Sequence, residues 1–192
     1  MNAGRIEIDG DSHVVTSRYL TFGRRSLSAM SWEDAGAAPG NDVAKLLCAR
    51  ICDGSTASVD SISVSERVGI EITFEVLQDG FVLVPNFPFH NDEGIYAFHL
   101  AETDPQWFRR PRPRGRYVVT AWLPANFLAE GVMSVGIALT TLHPLQIHFY
   151  EPELLQFCVT DPGDGSTARG DYMGPYPGVV RPKVVWETYS LS

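Results

Sequence analysis

Apolar and polar residues alternate one for one in run after run of this chain, and that period admits strands and little else. Ile70, Ile72, Phe74 and Val76 are interleaved with Glu71, Thr73 and Glu75. Met133, Val135, Ile137 and Leu139 are interleaved with Ser134, Gly136, Ala138 and Thr140. Successive side chains of a strand point to opposite sides, so each run offers one apolar face to a core. Further strands are expected over 43–51, 59–64, 81–84, 86–90, 95–100, 117–123, 146–150 and 154–159. Gln78-Asp79-Gly80 reads as the turn of a hairpin joining 70–76 to 81–84, and Asn91 to Gly94 as another turn. Ala125 to Gly131 is a connector with room for one helical turn. No stretch of about 12 residues carries a helical period, and short strands with turns every 8–12 residues or so indicate an all-β chain. We expect an antiparallel β-sandwich, jelly-roll or immunoglobulin-like, over residues 41–192. Residues 1–40, with Trp32 isolated among small and polar neighbours, read as an irregular segment.

Composition narrows the function. The net charge of −8 lacks the basic footprint of a general nucleic-acid binder. Five arginines (Arg109, Arg110, Arg112, Arg114 and Arg116) nevertheless crowd one segment stiffened by Pro111 and Pro113. They read either as a solvated loop or as an edge for an anion or a partner's acidic patch. Cys48, Cys52 and Cys158 form no framework and read as reduced thiols of a cytoplasmic protein, packed as small apolar residues. No apolar run approaches the ~18 residues of a membrane span. There is no GxxxxGK[ST] loop, GxSxG, HExxH or dinucleotide fingerprint, so neither ATP hydrolysis nor hydrolase chemistry is expected of this chain. His13, His90, His99, His143 and His148 lack metal-ligand spacing, so no metal and no cofactor is expected. Glu151 and Glu153 could in principle act as a glycosidase pair, but nothing else supports it, and two acids flanking Pro152 are more simply solvent-facing. Arg169-Gly170-Asp171 is read as a turn.

A binding surface is the better candidate. The polar face of 132–142 is small or hydroxylic: Ser134, Gly136, Ala138, Thr140. If 117–123 were its neighbour, Thr120 and Trp122 would join that face, and Gln146, His148 and Tyr150 share a parity beyond Pro144. The expected site is therefore a shallow floor formed by Thr120, Ser134, Thr140 and Gln146 and walled by Trp122, His148 and Tyr150. Sugars suit such a surface, since aromatic rings meet their apolar faces and amides, hydroxyls and imidazole meet their hydroxyls. Trp122 and Tyr150 serve equally well as packing residues.

Three segments carry a family resemblance: Asn86 to Phe98, Leu123 to Gly131 leading into Val135 and Ile137, and the run Gly170-Asp-Tyr-Met-Gly-Pro-Tyr-Pro-Gly-Val-Val-Arg-Pro182 before Val184-Val-Trp186. The last is the most specific. It resembles the closing segment of the C-terminal domain of Wzt-type proteins, ATP-binding subunits of bacterial ABC transporters that export O-antigen polysaccharide. The resemblance implies a β-sandwich that binds the non-reducing end of the polysaccharide in a groove on one sheet, without catalysis. It implies a homodimer in which a terminal strand, here Val184 to Trp186, adds to the partner's sheet. It further implies an ATP-binding domain and a membrane transporter subunit in the full protein. Location would then be cytoplasmic, at the inner face of the inner membrane. The chain reads as a fragment of such a protein or a stand-alone relative. The alternative is a structural or dimerisation module of a polysaccharide-biosynthesis protein, docking a protein partner through Arg109–Arg116.

Overall fold

The computed structural model describes residues 27–34, 36–55, 57–174 and 176–191. They form nine strands and no helix: β1 (Ala29–Ser31), β2 (Ala44–Cys52), β3 (Ser61–Ser63), β4 (Val68–Val76), β5 (Val84–Asn91), β6 (Tyr96–Ala101), β7 (Gly115–Leu123), β8 (Gly131–Leu142) and β9 (Leu145–Thr160). A four-stranded sheet has the order β1-β2-β4-β7, and a five-stranded sheet the order β3-β9-β8-β5-β6. All neighbours are antiparallel except β3 and β9. The expected all-β sandwich is what the chain forms. β1 lies inside the segment expected to be irregular. Residues 1–26 lie outside the described residues.

The alternation does what period two requires. Ile70, Ile72 and Phe74 of β4 face Phe87 and Phe89 of β5 and Val135, Ile137 and Leu139 of β8 in one buried cluster. Each such side chain contributes about 1.5–3 kcal/mol by leaving water. That same demand overturns the expected hairpin. Gln78 to Gly80 does turn, but of the strand expected over 81–84 only Val84 is in a strand, as the first residue of β5, and β4 belongs to one sheet and β5 to the other. Both runs present an apolar face, and both faces are buried when the runs sit in opposite layers. The two strands expected over 146–150 and 154–159 are one long β9. The break between them is an irregularity where the register jumps from Val135↔Leu155 to Ile137↔Glu151, with Glu153 at φ 50°. The 125–131 connector holds turns, with no helical turn.

Arg112 ties the layers together at the edge where the chain crosses between them. It is fully buried. Its guanidinium donates to the Leu83 carbonyl and pairs with Glu102 at 2.5 Å. It also lies 5.0–5.6 Å from the rings of Trp107, Phe74 and Tyr117. Phe74 and Tyr117 belong to the four-stranded sheet, and Leu83 leads into β5 of the other. Arg112 is thus no part of an exposed arginine edge, whereas Arg109, Arg110, Arg114 and Arg116 are exposed. Arg114 and Arg116 reach Asp79 and Glu75 at 4.0 and 3.5 Å, exposed pairs that contribute little. Cutting Arg112 back to Ala strands Glu102 without its partner. Arg112→Ala should therefore cost about 3–5 kcal/mol, or roughly 6–20 °C in Tm. Calorimetry showing a loss below about 1 kcal/mol would contradict this role.

Candidate functional site

Core residues leave the alternate positions for the outer faces, and cross-strand partners share a face. Because Phe87 and Phe89 point inward, Asn86, Pro88 and His90 point outward from the five-stranded sheet. Register places Ala138 and Ser134 of β8 beside Asn86 and His90, and Ala101, His99 and Tyr96 of β6 on their other side. Tyr150 and Gln156 of β9 pair with Ala138 and Ser134. The result is a trough. Its floor is small: Pro88, Ser134, Gly136 and Ala138. Tyr150 forms one rim and is 47% exposed; Tyr96 forms the other and is 56% exposed. Three strand spacings separate those rims, about 14 Å between backbones.

The floor cannot be raised. A Cβ added at Gly136 would stand 2.8 Å from Cγ of Pro88 and 3.4 Å from the Tyr150 ring. The β5–β8 ladder skips Phe87 and Pro88, as expected of a proline with no N–H to give. Floor polar groups bond one another: Gln156 Nε2 donates to Ser134 Oγ at 3.2 Å, and Asn86 Nδ2 to Thr140 Oγ1 at 3.1 Å. The far rim is an aromatic group. Tyr96 Oη lies 2.8 Å from His99 Nδ1, and the His90 and Tyr96 rings meet edge to face at 5.1 Å. His90 Nδ1 is buried and finds no hydrogen-bond partner among the described residues. None of these trough residues is Lys, Arg, Asp or Glu.

The structure divides the residues expected to form one patch. Ser134, Thr140 and Tyr150 share the trough face. Trp122 and Thr120 do not, because β7 is an edge strand of the other sheet. There Trp122 lies under the Arg67 guanidinium, 4.3 Å from the ring centroid, and Thr120 donates to Glu71 at 3.4 Å. Gln146 and His148 were assigned the parity of Tyr150, and they differ from it. The β8–β9 register slips between Leu139↔Phe149 and Thr140↔Ile147, which turns His148 inward and puts Ile147 in its place. Gln146 pairs with Thr141, on the side opposite Thr140. Sequence reasoning missed His90, Tyr96 and His99, although the parity of Phe87 and Phe89 points to the first.

His148 is 4% exposed and fully engaged. Asn41 Oδ1 accepts from the backbone N–H of Val43 and Ala44, so its amide nitrogen faces His148 Nδ1 at 3.3 Å. Nδ1 must then accept, and Nε2–H donates to Thr141 Oγ1 at 2.7 Å. The site holds the neutral ring, and burial pushes the imidazole below its usual range.

Two further cavities flank the sandwich. One, of about 390 Å³, lies between Trp107, Tyr117, Val118 and Trp122, along the edge of β7 that has no strand neighbour among the described residues. The other, of about 430 Å³, lies under the closing segment, at Tyr176 to Val179. That segment runs antiparallel to the chain before β8: Ala129 N–H donates to Val179 and Arg181 N–H to Phe127. Glu130 accepts from both Arg169 and Arg181. Burial pushes the Glu130 carboxyl up, but the bonds from Arg181 and Arg169 outweigh it and hold it below the usual range. Beyond Lys183 the chain is exposed, with Trp186 at 86%, and the strand expected at 184–186 does not form among the described residues.

These features define a β-sandwich with an uncharged aromatic trough on one sheet. No protein-family model and no curated protein matches the sequence. A solved structure does match the fold: the crystal structure of the C-terminal domain of Wzt, TM-score 0.61, covering 90% of this chain and 96% of that one at 15% identity. At that identity the likeness is one of fold, and it agrees with the recognised resemblance.

The His148 geometry sets a pH dependence. Its folded pKa lies below the unfolded value of about 6.5, so below that pH the unfolded chain binds more protons and stability falls as pH falls. Denaturant melts from pH 8 to 5 or so should show a His148→Gln variant with a shallower decline than the parent. Parallel declines would contradict the assignment.

Proposed function

We propose that this chain is a non-catalytic carbohydrate-binding domain that selects an O-antigen-type polysaccharide for export, binding it in the trough between Tyr150 and Tyr96. The observation that carries this reading is the uncharged small-residue floor between two exposed tyrosines, with the unpartnered Nδ1 of His90 beside it. A pyranose can lie over the Pro88 ring against Tyr150 while Ser134, Thr140 and Asn86 meet its hydroxyls. The fold shared with the C-terminal domain of Wzt supports the transport setting. There, an ATP-binding domain and a membrane transporter subunit would hold the domain at the cytoplasmic face of the inner membrane.

Affinity for one chain end would be weak, since a millimolar site is worth only about 4 kcal/mol, and two sites in a dimer raise it by avidity. The free edge of β7 and the exposed Val184–Leu191 segment suit strand addition between two copies. The same edge and its aromatic cavity favour the second reading, a dimerisation or docking module with a protein partner.

Calorimetric titration with O-polysaccharides tests the choice. Tyr150→Ala should weaken binding at least tenfold, about 1.4 kcal/mol, while Trp122→Ala on the opposite sheet leaves it within about twofold. Binding lost with Trp122→Ala and kept with Tyr150→Ala would move the site to the other sheet. No binding of any polysaccharide would favour the docking module.

A further inference from the structure

The long hairpin of β8 and β9 ends in a tip that carries no charge and leaves its apolar residues in water. From Gly131 to Tyr150 there is no Lys, Arg, Asp or Glu. Leu142 and Leu145 pair across the turn, and Ile147 stands two residues down β9. All three are more than half exposed. The core does not claim them: the register slip that turns His148 inward leaves Ile147 outside, opposite Thr140. Contiguous exposed aliphatics of this kind mark a contact surface.

The arginine-rich loop stands at the same end of the sandwich. β8 and β5 meet there at Thr140 and Val84, β5 and β6 at Asn86 and Ala101, and β4 and β7 at Val76 and Gly115. The layers are joined at this end by Phe81, whose ring meets that of His148 at 5.6 Å and whose carbonyl accepts from the Arg112 N–H. Two strand spacings, roughly 10 Å, separate β8 from β6, which runs into the loop. The loop displays Phe108, also more than half exposed, with the Arg109 guanidinium 5.0 Å from its ring centre. Arg114 and Arg116 face Asp79 and Glu75, whereas Arg109 and Arg110 are exposed and form no ion pair among the described residues. Buried Arg112 fixes the loop from within.

We propose that this end of the sandwich rests directly on an anionic bilayer surface. Leu142, Leu145 and Phe108 enter the headgroup boundary, and Arg109 and Arg110 meet lipid phosphates. A bilayer boundary offers hydrocarbon and phosphate side by side, which is the order in which the tip and the loop present their side chains. The depth also agrees. Ile147 lies about 7 Å behind Leu145 along the strand, inside the ~5–10 Å to which interfacial groups are buried. Charge selects the orientation. A chain of net charge −8 is repelled by an anionic surface over most of its own surface. At this end Lys45 and the five arginines match Asp42, Glu75, Asp79, Glu102 and Asp104, so the repulsion is cancelled where the apolar groups project. The proposal does not depend on the trough being a glycan site.

The test is co-sedimentation of the full 192-residue chain with vesicles of phosphatidylcholine alone and of phosphatidylcholine with about 30 mol% phosphatidylglycerol. The chain should bind the anionic vesicles at least about fivefold more tightly, and raising the salt from about 0.1 to 1 M should weaken that binding. Leu142→Ser with Leu145→Ser, and separately Arg109→Gln with Arg110→Gln, should each weaken it by at least about threefold at an unchanged melting temperature. All four side chains are exposed, so the fold does not need them. Val185→Ser with Trp186→Ser, in the exposed closing stretch, should leave binding within about twofold. Loss of binding through the Val185 and Trp186 variant alone would overturn the proposal by moving the contact to the tail. Equal binding to both vesicles, or no binding to either, would also overturn it, and the second result would assign the apolar tip to a protein partner. These vesicles carry no sugar, so none of the outcomes bears on the trough.

Discussion

A strand has only two faces, and in this chain the core takes one of them from every long strand. Phe74, Phe89, Ile137 and Leu155 meet at the centre of the sandwich, and their alternate neighbours are turned outward by the backbone itself. Everything said about binding follows from that geometry. Pro88, Ser134, Gly136 and Ala138 lie on one outer face because Phe87, Phe89, Val135 and Ile137 lie on the inner one. The face is sunken because these residues are small, and it stays sunken because the Pro88 ring occupies the space that a side chain at position 136 would need. The tyrosines at its rims have no such constraint and remain exposed.

Much of this was legible in the alternation. The positions of β4, β7 and β8, the outward set Ser134, Gly136, Ala138 and Thr140, and the sandwich class follow from local pattern, which is all that period two needs. Which sheet each strand joins was not legible. Strand pairing is set by partners far away in sequence, so placing Trp122 beside Ser134 assumed that β7 and β8 were neighbours when they lie in opposite layers. Nor was the face of His148: a single slip in the β8–β9 register reverses parity, and nothing in Leu145 to Tyr150 marks where the slip falls. His90 was legible in principle, two residues from Pro88 and opposite in parity to the phenylalanines.

The charged residues teach the same lesson. Five arginines within eight positions looked like one surface, yet Arg112 is sealed among Phe74, Trp107 and Tyr117 while its neighbours face water. What distinguishes it is the pairing with Glu102 and the Leu83 carbonyl, which only the fold supplies. The Gly- and Pro-rich closing segment, distinctive as sequence, is held by Glu130 through two more arginines. It forms the outer wall of a cavity. The exposed stretch after it is the part that the single chain leaves without a partner.

The central claim is that the uncharged face of the five-stranded sheet is where sugar rests. Intermolecular nuclear Overhauser effects between a bound O-polysaccharide and the protein would locate it directly. The account expects contacts from sugar ring protons to the Tyr150 ring and the Ala138 methyl group, with none to the indole of Trp122. Contacts to Trp122 and Thr120, with Tyr150 and Ala138 silent, would contradict it.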